Sequence, residues 1–153
     1  MKTLVINLKD RIDRLTDFKR ANSKLKYEVT SAVDGTKVDY SKLLDLDFDV
    51  NHDWIDPILN TPLTKGEVGC FLSHWRIWEK CIAKNENVLV LEDDARVTEN
   101  FDLEEICALL NTYDFLYLGW KEMEKSIPID DKLVQPVYPY WTLAYAITPT
   151  AAK

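Results

Sequence analysis

The chain has 153 residues, enough for one domain whose core buries about 68–70% of the unfolded surface. Its net charge of -7, from 19 basic and 26 acidic residues, argues against a nucleic-acid surface, which needs clustered Lys and Arg to replace counterions. No apolar run approaches the ~18 residues of a membrane span. The first apolar stretch, Leu4 to Leu8, is broken by Asn7 and followed by Lys9, Asp10 and Arg11, so it does not read as a signal-peptide core. Cys70, Cys81 and Cys107 show no CxxC spacing. They read as three small buried hydrophobes in a reducing compartment, and the expected location is cytoplasmic.

In chain order, Thr3–Leu8 reads as a first strand. Ile12, Leu15, Phe18 and Leu25 recur near helical spacing, which predicts an amphipathic helix over Asp10–Leu25. Tyr27–Val33 reads as a second strand, ended by the turn pair Asp34-Gly35. Thr36–Leu63 is mixed, with a short helix near Ser41–Leu46 and a polar loop around Asn51–Pro57 that holds His52. Thr64-Lys65-Gly66-Glu67 has the form of a capping box. Val68, Phe71, Leu72, Trp75, Trp78 and Ile82 then mark one face of a long helix. Val88–Leu91 reads as a strand buried on both faces. Leu103, Ile106, Leu109 and Leu110 predict a helix, and Phe115–Leu118 and Leu143–Ile147 predict two more strands. Thr148-Pro149 resembles a helix start followed by only one turn, so the expectation is a domain lacking its C-terminal part. Alternating strands and helices give an α/β domain with a mostly parallel sheet, in which ligands bind beyond the carboxyl ends of the strands.

That rule selects three groups of residues. Glu92-Asp93-Asp94 follows the buried strand directly. Adjacent carboxylates repel unless they are solvated or neutralised, so the choice is an acidic turn or a site for Mg²⁺ or Mn²⁺, which take carboxylate oxygens. Asn7 ends the first strand, and Arg11 and Arg14 open the next helix against the dipole preference for acids. Arginine suits bidentate phosphate contact, and the alternative is surface pairing with Asp10, Asp13 and Asp17. Ser73 and His74 are polar residues in an otherwise apolar helix, after Gly66 and Gly69. Adjacent helical side chains diverge, so the two are not a nucleophile–base pair, and a lone helical His is commonly structural. The late aromatics Trp120, Tyr138, Tyr140 and Trp141 could stack on sugars or bases, whereas Trp75, Trp78 and Tyr145 read as core.

Four motifs in order resemble glycosyltransferase family 25, which includes lipopolysaccharide and collagen hexosyltransferases. They are Val5-Ile6-Asn7-Leu8 with Arg11 and Arg14, Ala32-Val33-Asp34-Gly35, Thr64 to His74, and Leu91-Glu92-Asp93-Asp94. The resemblance implies a GT-A-like, Rossmann-like sandwich over residues 1–153. It implies inverting transfer of galactose or glucose from a UDP-sugar to a glycan or other hydroxyl acceptor. Mn²⁺ (or Mg²⁺) would be held by Asp94 and Glu92, and Asn7, Arg11, Arg14, Asp34, Gly35, Ser73, His74, Glu92 and Asp93 would line the donor pocket. A lipid-linked acceptor would bring peripheral membrane association. Two other readings stand beside this one. A non-catalytic module of the same fold would bind a nucleotide sugar or a partner. A metal-dependent phosphohydrolase would need further ligands that no His/Asp cluster supplies.

Overall fold

The computed structural model describes residues 1–43, 50–51 and 53–153, so His52 and the 44–46 part of the short helix expected at Ser41–Leu46 lie outside the described residues. Strands β1 (Lys2–Asn7), β2 (Glu28–Ser31), β3 (Val88–Glu92), β4 (Phe115–Glu122) and β7 (Pro139–Ile147) form one sheet in the order β2-β1-β3-β7-β4. Helices α1 (Ile12–Ala21), α2 (Lys65–Lys84) and α3 (Leu103–Leu109) complete an α/β domain, with a small hairpin of β5 (Ile127–Pro128) and β6 (Val134–Gln135) set apart from the sheet.

The pleat sorts the core into two layers, because successive strand residues face opposite sides. Val5, Leu89, Leu91, Ala144 and Ala146 pack on one face with Phe18 of α1 and Ile106 of α3. Leu4, Ile6, Val88, Val90, Tyr145 and Ile147 pack on the other with Ile77 and Cys81 of α2. The strand Val88–Leu91 is therefore covered on both faces, as its unbroken apolar run requires.

The sheet is mixed rather than mostly parallel in its pairing. β1 pairs in parallel with β2 and β3, but β7 runs antiparallel to both β3 and β4. The cause lies between β4 and β7. A parallel return needs a crossover of a dozen or more residues, usually a helix. This connection, residues 123–138, is long enough but carries the β5–β6 hairpin and no helix, and the chain folds back antiparallel with β7 beside β3.

Helix α2 starts at a complete capping box. The Thr64 hydroxyl accepts from the Glu67 N–H at 3.2 Å, and the Glu67 carboxylate accepts from the Thr64 N–H at 2.7 Å. It ends at Asn85 in the left-handed conformation (φ 49°), a position that Asn tolerates. Its inward face is rotated from the expected stripe. Val68, Gly69, Leu72, Ser73, His74, Ile77 and Cys81 are buried, while Phe71 is exposed.

Glycine decides how close α2 comes to the segment after β2. A Cβ on Gly35 would lie 1.6 Å from the Lys65 carbonyl oxygen, and one on Gly69 would lie 2.6 Å from the Gly35 nitrogen and the Val33 oxygen. The two backbones touch because neither residue has a side chain. Asp34 caps the short 3-10 turn Gly35–Lys37 by accepting from the Thr36 N–H at 3.0 Å.

Candidate active site

The carboxyl ends of β1, β2 and β3 lie on one edge of the sheet, because these three strands are parallel. An open hollow of about 160 Å³ sits beyond that edge. Asn7, Arg11, Arg14, Ser73, His74, Glu92 and Asp93 all line it, with Ala32, Val33, Gly66 and Cys70. The first strand-helix, the capped helix and the acidic strand end thus meet in one place. Asp34 and Gly35 are not among the lining residues. Asp34 is committed to its cap and to Lys37 at 2.9 Å, and Gly35 to the contact with α2.

The acidic triplet does not form a single cluster. Glu92 faces α2 and β7, where it accepts from the Thr142 hydroxyl at 2.8 Å and lies 3.4 Å from His74 Nε2. Asp93 points the other way, to Asn7 Nδ2 at 2.7 Å and to the Arg14 guanidinium. Asp94 is exposed and pairs with Arg14 at 2.9 Å. The repulsion read from three adjacent acids is partly offset by protein cations, Arg14 on one side and His74 on the other. Even so, Glu92 and Asp94 open onto a common second hollow with Cys70, Trp141, Thr142 and Leu143.

The two arginines differ. Arg14 is bound to both buried Asp93 and exposed Asp94. Arg11 makes a two-point contact with Asp13, at 2.9 and 2.7 Å, and both partners are exposed. Arg11 therefore fits the surface-pairing alternative in this structure, yet its partner is one that a phosphate could replace at small cost. Asn7 is buried and ties β1 to β3 through Asp93, and its amide also donates to the Arg11 carbonyl oxygen at 3.1 Å.

Ser73 and His74 are buried because both are fully engaged. The Ser73 hydroxyl donates to the Gly69 carbonyl oxygen at 2.6 Å and accepts from the Val33 N–H at 2.8 Å, joining α2 to the end of β2. His74 bridges the core to the hollow. Its Nδ1 lies 2.8 Å from the Tyr145 hydroxyl, which accepts from Trp78 Nε1 at 2.9 Å. Its Nε2 lies 3.1 Å from the Thr142 oxygen, whose proton goes to Glu92. Burial works against the charged ring, but the bonds to Cys70 and Glu92 outweigh it and hold the His74 pKa at about 9. Burial likewise opposes the charge on Glu92, and the bonds from His74 and Thr142 keep it below its ordinary range. Burial pushes the Tyr145 hydroxyl far upward, so it stays neutral.

Sequence reasoning missed Thr142, which lies 68 positions from His74 and bears no motif, and it misread Cys70. Of the three cysteines only Cys81 is fully buried. Cys70 is exposed at the rim, and Cys107 is half-buried, all three as free thiols. Trp141, next to Thr142, is 58% exposed and holds a left-handed backbone (φ 73°) that bulky side chains seldom adopt. Among the described residues no helix is long and apolar enough to cross a membrane.

Residues 1–153 match the family model for glycosyltransferase family 25 (LPS biosynthesis protein). The chain is 35% identical over 164 residues to procollagen galactosyltransferase 2 of Homo sapiens, covering 97% of this chain and 26% of that protein. It is 40% identical over 136 residues to the inactive glycosyltransferase 25 family member 3 of Homo sapiens, covering 82% and 23%. It is 37% identical over 161 residues to a glycosyltransferase 25 family member of Anopheles gambiae, covering 97% and 27%. The chain spans about a quarter of the length of these curated relatives. The full-length family match and the order of its motifs carry one conclusion: the chain belongs to glycosyltransferase family 25.

Proposed function

We propose that the chain is the donor-binding unit of a GT-A-type hexosyltransferase, and that it moves galactose or glucose from a UDP-sugar to a hydroxyl acceptor with inversion. The observation that carries this reading is the meeting of Arg11, Arg14, Asn7, His74, Glu92 and Asp93 around one hollow beyond parallel strand ends. Arg11 supplies a fork for the diphosphate once it leaves Asp13. Arg14 holds Asp93 and Asp94 in place. Trp141 offers an exposed ring face beside Glu92 and Asp94, suited to stacking on a hexose.

Glu92 and Asp94 present hard oxygen donors to the second, adjoining hollow beside Trp141, which fits Mn²⁺ or Mg²⁺. A divalent cation there supplies charge neutralisation for the diphosphate leaving group. One catalytic proposal and one non-catalytic proposal compete. The second is favoured by the 40% identity to a relative named inactive, and it keeps donor binding without transfer. Incubation with UDP-galactose or UDP-glucose, Mn²⁺ and a hydroxyl acceptor separates them by release of UDP. Release above the rate of a Glu92→Gln variant supports the transferase. Donor binding with no release in either protein supports the binding module.

A further inference from the structure

Beside the carboxylates stands a donor set of a different chemistry. Cys70, His74 and Glu92 each offer one ligand atom, and these atoms all lie within 4.8 Å of one another. Two elements supply them: the first turns of α2 give Cys70 and His74 one helical turn apart, and the end of β3 gives Glu92. A thiol, an imidazole and a carboxylate together suit a borderline-soft ion, zinc above all, and suit Mn²⁺ poorly.

We propose that Cys70, His74 and Glu92 form a three-ligand Zn²⁺ site at the rim of the donor hollow. The surroundings are those of a metal-binding histidine. With Nε2 toward the ion, Nδ1–H points at the Tyr145 oxygen 2.8 Å away, and Tyr145 is itself fixed by Trp78. Such an outer partner sets the tautomer and aims the ring. Cys70 is exposed, so the ion has an entry path and a fourth position open to solvent or substrate. The Thr142 hydroxyl sits where the three donors converge, 2.8 Å from Glu92, 3.1 Å from His74 Nε2 and 4.0 Å from Cys70 Sγ. It is a placeholder that a side-chain rotation removes. Binding releases the protons of the Cys70 thiol and of His74 Nε2 to solvent. The site shares Glu92 with the proposed donor cation, so zinc occupancy blocks that use of Glu92.

Cobalt(II) is the probe, because a cobalt–thiolate bond gives a near-ultraviolet charge-transfer band that oxygen ligands do not. The 153-residue chain, treated with EDTA and dialysed, is titrated with Co²⁺ and then with Zn²⁺. One equivalent of Co²⁺ should produce the band, and one equivalent of Zn²⁺ should abolish it. Cys70→Ser, at an exposed position that leaves the core intact, should lose the band and bind Zn²⁺ about a hundredfold or more less tightly. Cys107→Ser should keep it. Thr142→Ala should keep the band and bind several-fold more tightly. No band in the parent chain, a band unchanged in Cys70→Ser, or weaker binding in Thr142→Ala would overturn the proposal. UDP plays no part in this readout, so failure of the zinc proposal is distinguishable from failure of the donor reading.

Discussion

Arg14 and Arg11 look interchangeable as residues, but their partners make them opposites. Arg14 neutralises Asp93, a buried carboxylate whose other partner is the Asn7 amide. Arg14→Ala leaves that acid short of a charge-assisted bond, and the loss of stability should be about 1–3 kcal/mol by urea denaturation. Arg14→Lys should recover part of it, since the charge returns without the fork. Arg11 and Asp13 are both exposed, so Arg11→Ala should leave the urea midpoint unchanged. In the same variant UDP affinity should fall about tenfold, one charge-assisted phosphate bond being lost. A destabilised Arg11→Ala protein, or one with unchanged UDP affinity, would contradict the division of labour. Sequence spacing showed both arginines at a strand-helix junction. It could not show which one the folded carboxylates would capture, because Asp93 and Asp94 arrive from about 80 residues away.

At the scale of elements, the contact of α2 with the turn after β2 rests on absent side chains. Gly35→Ala places a Cβ 1.6 Å from the Lys65 carbonyl oxygen, and Gly69→Ala places one 2.6 Å from two backbone atoms. Both should destabilise, Gly69→Ala by about 1–3 kcal/mol and Gly35→Ala by more, because backbone must move. Gly66 meets only the Thr64 Oγ1 at 3.8 Å, so Gly66→Ala should stabilise by about 0.5–1 kcal/mol. Thermal unfolding of the three variants checks the order, and a destabilised Gly66→Ala would break it. The same turn has an acid-sensitive cap. The Asp34 pKa is lowered to about 2, first by the Thr36 hydroxyl and then by Lys37. A depressed acid contributes stability above its unfolded pKa of 3.8 and loses it as pH falls through about 2. Relative to Asp34→Ala, the parent chain should keep a constant advantage above about pH 4 that shrinks toward pH 2. An advantage that grows on acidification would contradict the cap. The capping box, the buried strand and the long helix were legible in sequence because their signals are local. The inward turn of Ser73 and His74 was not, because their partners Val33, Tyr145 and Thr142 belong to other elements. The antiparallel insertion of β7 hid for a related reason. It is decided by what the connection from β4 lacks, a crossover helix, rather than by any residue in β7.

Across the whole molecule, a net charge of -7 surrounds a hollow proposed to hold a diphosphate. An anion entering beside Glu92, Asp93 and Asp94 meets like charge that Arg14 and His74 only partly offset, and like-charge juxtaposition costs several kcal/mol. A bound divalent ion reverses the local sign. UDP affinity should therefore depend on the cation, and the dependence should run through Asp94, whose pairing with Arg14 is solvent-exposed. Calorimetric titration with UDP, in Mn²⁺ and again in EDTA, is the direct measurement, run on the parent chain and on Asp94→Asn. The prediction is binding in Mn²⁺ at least about tenfold tighter than in EDTA, and loss of that difference in Asp94→Asn with an unchanged unfolding midpoint. Equal UDP affinity with and without metal would contradict it.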